Sequence, residues 1–125
     1  MSWQAYVDTS LLGSGTLGQA AIYGLDGTTW ASSSDLVSFN PVPLIDAYKD
    51  PSNLRSDGLT VNNTRYVVIR SDERSIYGKS KDQGGFIAVK TNQSLILGLY
   101  FSNHLAGESA KIVEELADYL LASGY

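Results

Sequence analysis

Ser94-Leu95-Ile96-Leu97-Gly98-Leu99-Tyr100-Phe101 is the stretch from which the fold is read. A strand with one wet face alternates apolar and polar residues. This run is almost continuously apolar, so it predicts a central strand covered on both faces. Asn92-Gln93 before it reads as a turn from a neighbouring strand, Phe86–Thr91. Further upstream, Gly58–Val61 and Arg65–Arg70 flank Asn62-Asn63, a two-residue hairpin turn, and Ser75–Lys79 reads as another short strand. Near the start of the chain Asp26-Gly27 joins Ala20–Leu25 to Thr28–Ser32 in the same way. The expected sheet is antiparallel and hairpin-linked.

The covering layers come from helical patterns. From Ala106 to about Leu121, Ile112, Val113, Leu116, Ala117 and Leu120 form one apolar stripe, opposite Lys111, Glu114, Glu115 and Asp118. A second helix is predicted from Ser2, a good N-cap, to about Leu12, where Gly13-Ser14-Gly15 stops it. Between the two, Pro41-Val42-Pro43 starts a short helix through Leu44–Tyr48, and Asp50-Pro51 ends it. Strands buried on both faces need helices on both faces. The expectation is one α+β domain over residues 1–125: a three-layer α-β-α fold, terminal helices on one face of a central antiparallel sheet and short helices on the other.

Composition sets the functional bounds. With 125 residues, 43% apolar and 18% charged, the chain reads as a single folded domain. It has no cysteine, which excludes disulfides, thiol catalysis and cysteine-ligated metal, and fits a reducing compartment. No basic leader and no apolar run of about 20 residues is seen, so neither a secretory signal nor a membrane span is expected. Asn62-Asn63-Thr64 and Asn92-Gln93-Ser94 match the glycosylation pattern, but read as turns. The net charge of −4 argues against nucleic acid. Yet residues 65–81 hold five of the nine basic residues, Arg65, Arg70, Arg74, Lys79 and Lys81, against Asp72 and Glu73 alone. That is either an anion-binding surface or a solvated strand face.

Gly13, Gly15 and Gly18 spell G-x-G-x-x-G, but a helix precedes them and a strand follows, the reverse of a dinucleotide site. His104, the only histidine, sits in a loop without a metal-spaced partner, and Glu114-Glu115 diverge on a helix. Nothing points to catalysis, to a metal or to a cofactor. The aromatics do stand out. Trp3 and Tyr6 share one helix face, where a pair at that spacing commonly packs into a core. Here Ala5, Val7, Leu11 and Leu12 can supply the core without them. Trp30 has small or polar neighbours, Tyr119 lies at the edge of its helical stripe, and Tyr125 is the last residue.

Ser2-Trp3-Gln4-Ala5-Tyr6-Val7-Asp8, Asp26-Gly27 with Trp30-Ala31-Ser32, Arg74-Ser75-Ile76-Tyr77-Gly78-Lys79 and Leu116-Ala117-Asp118-Tyr119-Leu120 together resemble profilin of the fungal and amoeboid-protist type, from residue 2 to residue 125. The resemblance implies a cytoplasmic, cytoskeleton-associated monomer that binds monomeric actin and regulates its polymerisation. It also implies binding of proline-rich partners, such as formin-type assembly factors, and of phosphoinositide headgroups. By that resemblance the proline-rich site falls on Trp3, Tyr6, Trp30, Tyr119 and Tyr125. The actin site falls on Lys79, Lys90, Thr91, Gly107, Lys111 and Glu115, and the phosphoinositide site on Arg74, Lys79 and Lys81. A polyproline II helix is preformed and leaves its carbonyls free, so flat aromatics with N–H and O–H donors suit it. Two departures from the family pattern are noted. Pro41-Val42-Pro43 implies a short or displaced second helix, and Ser109 in place of alanine implies a modest change in actin affinity. The competing reading from fold alone is a small α-β-α ligand-sensing or trafficking domain, which would need an enclosed pocket.

Overall fold

The computed structural model describes residues 2–82 and 84–125. Seven strands form one antiparallel sheet: β1 (Gln19–Gly24), β2 (Thr29–Ser32), β3 (Leu59–Val61), β4 (Thr64–Ser71), β5 (Ser75–Lys79), β6 (Gly85–Lys90) and β7 (Ser94–Tyr100), in the order β2-β1-β7-β6-β5-β4-β3. The apolar run that opened the reading is β7. It lies between β1 and β6, and all seven of its residues are buried. The turns obey their chemistry. Asn62 and Asn63 both take positive φ, 49° and 69°, as a tight hairpin of that type requires, and Gly27 does so at 93°.

Alternate residues feed two cores. Ala20, Ile22, Ile87, Val89, Ile96 and Tyr100 face the terminal helices, where they meet Val7, Leu11, Val113, Leu116, Ala117 and Leu120. Ala21, Tyr23, Phe86, Ala88, Leu95, Leu97 and Leu99 face the other way, against Leu36, Leu44, Ile45, Ala47 and Leu54. The three-layer expectation holds. The long helix α4 (Ala106–Ala122) lies over β6 and β7. It comes in close because Gly98 of β7 has no side chain: a Cβ there would stand 2.9 Å from Leu17 and 3.1 Å from Val113.

The N-terminal helix departs from expectation in register. Only α1 (Trp3–Ala5) is α-helical. Tyr6–Leu11 is a π-helix, and Leu12–Ser14 a 3-10 turn that Gly15 ends at φ 79°. A π-turn closes five residues on instead of four, so it carries an extra residue per turn. Apolar spacing read at the α period does not reveal that. The short-helix face holds α2 (Val42–Lys49) and α3 (Leu54–Asp57). α2 is short, eight residues, and its prolines stand where a helix tolerates them: Pro41 is the N-cap and Pro43 sits in the first turn, where no backbone donor is needed. Tyr48 of α2 donates to the Ala88 carbonyl at 2.8 Å, which fastens that layer to β6. A 3-10 turn at Ser34–Leu36 buries Leu36.

Candidate functional site

The expected proline-site aromatics come together in one strip. The Ser2 hydroxyl accepts from the Ala5 amide at 3.1 Å and so fixes the turn that presents Trp3. The Trp3 ring lies 4.7 Å from Trp30 on β2, 5.0 Å from Tyr125 and 5.7 Å from Tyr6, and Tyr6 lies 6.0 Å from Tyr119 on α4. The Trp3–Tyr125 pair is edge-on and the other three are tilted, all at distances where aromatic rings attract. The strip is not sealed: Tyr119 is 55% exposed and Tyr125 39%. A hydrogen bond with the Tyr119 hydroxyl, ahead of partial desolvation, raises the Tyr6 phenol above its ordinary range.

Tyr125 owes its position to the end of α4. Gly124 takes φ 96°, its amide bonds to the Leu121 carbonyl, and the Tyr125 amide reaches back to the Leu120 carbonyl at 2.8 Å. This is a Schellman close, which needs the left-handed residue that glycine supplies. The Tyr125 carbonyl oxygen then accepts from the Gln93 amide at 2.7 Å and the Thr91 hydroxyl at 3.0 Å. The β6–β7 turn therefore holds the end of the strip.

The expected actin residues divide. Lys111 and Glu115 form an exposed pair on α4 at 3.9 Å, and Gly107 lies in the first turn of the same helix with open space around it. Lys79 of β5 lies directly across from Val67 of β4 and therefore on the same sheet face. Lys90 shares the opposite face with Leu95, and its ammonium stands 5.3 Å from the centre of the Tyr48 ring. Thr91 is 5% exposed and its hydroxyl is engaged by Ser94 and Tyr125, so it offers no side-chain atom to a partner. Ser109 is likewise buried. Its hydroxyl donates to the carbonyls of Thr16 at 2.6 Å and Leu105 at 3.0 Å, which ties α4 to the loop before β1.

Three features escaped the sequence reading. Val67 and Ile69 are 64% and 52% exposed on β4 while Tyr66 before them and Val68 between them are buried, so an apolar pair faces solvent beyond α4. The signal was present: Arg65–Arg70 is apolar at four successive positions, which a one-sided strand does not need. Leu105, 64% exposed, occupies the N-cap of α4 without a capping hydrogen bond. The third is a polar network on Glu114. Its carboxylate accepts from Arg74 at 2.9 Å, from the Ser75 hydroxyl at 2.7 Å and from the Tyr77 hydroxyl, while Arg74 also pairs with Asp118 at 2.8 Å. Arg74 is thus engaged with α4. Lys79 and Lys81 instead line an open recess of about 410 Å³ with Arg65 and Asp82. His104 is a loop residue whose Nδ1 accepts from the Phe101 amide at 2.9 Å. Among the described residues no three His, Cys, Asp or Glu side chains are grouped to hold a metal, and no helix is long and apolar enough to cross a membrane.

The family model described as Profilin matches residues 1–125. The chain is 47% identical over 127 residues to "Profilin-2" of Acanthamoeba castellanii, with both chains covered in full. Its structure is similar to the crystal structure of Acanthamoeba castellanii profilin II, with TM-score 0.92 and 46% identity over 99% of this chain and 100% of that one. It is also similar to mouse profilin IIa in complex with a double repeat from the FH1 domain of mDia1, with TM-score 0.84 and 26% identity over the whole of both chains.

Proposed function

Since the chain belongs to the profilin family, we propose that it binds monomeric actin, regulating polymerisation, and binds proline-rich segments of assembly factors along its aromatic strip. The observation that carries the proline reading is the convergence of Trp3, Tyr6, Trp30, Tyr119 and Tyr125 on one open face. A proline ring packs flat on an indole or phenol, and the ligand's carbonyls accept from Trp N–H and Tyr O–H groups. The mouse relative whose structure holds an FH1 repeat supports the same use of this fold.

Features that the fold does not need support an actin face at the start of α4 and the strands beside it. Leu105 is an exposed leucine at a capping position where Ser or Asp is favoured, and Gly107 is a helical glycine with nothing near it. Val67, Ile69 and Lys79 continue that surface on β4 and β5. Lys111 and Glu115 complete it. Phosphoinositide headgroups suit the recess of Arg65, Lys79 and Lys81, and Lys79 would then be shared with actin. That recess is open to solvent, unlike the enclosed pocket a ligand-sensing domain needs. No step of this function breaks or forms a bond in the chain.

Tryptophan fluorescence during titration with a poly-proline peptide tests the strip. A saturable change in wild type is expected, with affinity lowered at least about tenfold in Trp3→Ala and in Tyr119→Ala while circular dichroism is unchanged. No change in wild type would reject the proline reading.

A further inference from the structure

The aromatic strip does not stop at Tyr6 and Tyr119. Beyond them an open groove of about 420 Å³ runs between the N-terminal helix and α4, lined by Tyr6, Ser10, Ile112, Glu115, Leu116 and Tyr119. Its floor is apolar and its rim carries one carboxylate. That carboxylate is available, because its only partner among the described residues is the exposed Lys111 at 3.9 Å, and exposed pairs of this kind are weak. The surrounding charge is one-sided as well. Residues 2–18 and 106–125 hold Asp8, Glu108, Glu114, Glu115 and Asp118 against Lys111, a net of −4 that Arg74, paired with Glu114 and Asp118, reduces to −3. The layer carrying the strip is therefore acidic, while the basic residues gather on β4, β5 and the turn after them.

Proline rings have no use for an acidic rim, and a polyproline helix is uncharged. Something adjoining the proline run is what this chemistry recognises. We propose that the groove is a specificity subsite for an arginine or lysine flanking the proline run. Its aliphatic stem lies on Ile112 and Leu116 between the two tyrosine rings, and its cation reaches Glu115. Long basic side chains suit such a slot, since they cover apolar surface with their stems while the head stays polar. A guanidinium also stacks favourably on a phenol face. The subsite rests on the proline reading, because it extends that strip.

The test uses three peptides with blocked ends: a plain proline run, the run with two arginines at one end, and the run with two at the other. One arginine-flanked peptide is expected to bind roughly three- to tenfold tighter than the plain run at low salt, the advantage shrinking at high salt. The preference should vanish in Glu115→Gln and fall in Ile112→Ser, which leaves every charge in place. It should survive in Glu108→Gln, which removes the same charge from the same layer away from the groove. Equal binding of plain and flanked peptides overturns the subsite and leaves the proline reading standing. So does a preference lost equally in Glu108→Gln and Glu115→Gln, which would mean diffuse attraction by the acidic layer. Failure of all three peptides to bind rejects the proline reading and the subsite with it.

Discussion

Gly107 and Tyr23 each sit where the fold alone would prefer another residue. Gly107 is helical, exposed and unconstrained by neighbours. Gly107→Ala should raise stability by about 0.5–1 kcal/mol in urea unfolding and lower actin-monomer affinity measured on the same preparation. Unchanged affinity would remove Gly107 from the contact. Tyr23 is fully buried, and its hydroxyl has no hydrogen-bond partner among the described residues. Tyr23→Phe removes an unsatisfied group without opening a cavity, so the unfolding free energy from urea titration should hold or rise, by up to about 1 kcal/mol. The sequence shows that position 107 is glycine and position 23 a strand tyrosine. It does not show that one has empty space around it and the other an orphaned hydroxyl, because both facts depend on residues distant in the chain. Thr91 illustrates the same limit. Resemblance set it on the actin face, and the fold turned its hydroxyl inward to Tyr125.

At the scale of elements, hairpins and stripes were legible and registers were not. Asn62-Asn63 and Asp26-Gly27 announce their turns through local backbone demands, and the α4 stripe follows from one period. The π-turns at Tyr6–Leu11 were invisible because they change the period itself. Two substitutions probe how α4 is held. Ser109→Ala strands the Thr16 carbonyl and should cost about 1–2 kcal/mol of stability, with little change in actin affinity since Ser109 is buried. Gly124→Ala forces a side chain into the left-handed close of α4. It should cost roughly 1–2 kcal/mol in thermal or urea unfolding, and weaken poly-proline binding by shifting Tyr125 off Trp3. If binding survives at full strength, the close of α4 does not govern the strip.

For the whole molecule, the tyrosines set the alkaline limit. Burial raises the phenols of Tyr23, Tyr48, Tyr66 and Tyr100, and burial followed by the hydrogen bond and charge of Glu114 pushes Tyr77 up to about 12. A phenol whose folded value exceeds its unfolded value of about 10 stabilises the fold fully below pH 10, and that stabilisation is lost as pH rises through the folded value. Urea midpoints should therefore fall steeply above about pH 10, together with the phenolate absorbance change. Tyr77→Phe should remove part of the slope between pH 10 and 12. The layered architecture was legible because one apolar strand demanded cover on two sides. The order of strands and the acidic and basic division between layers emerge only when distant segments meet. The strip shows this most sharply, since Trp3 and Tyr125, 5.0 Å apart, belong to opposite ends of the sequence. Trp3 and Tyr125 meet only through the folded sheet and helices between them, so local opening of either terminal helix separates the two halves of the strip.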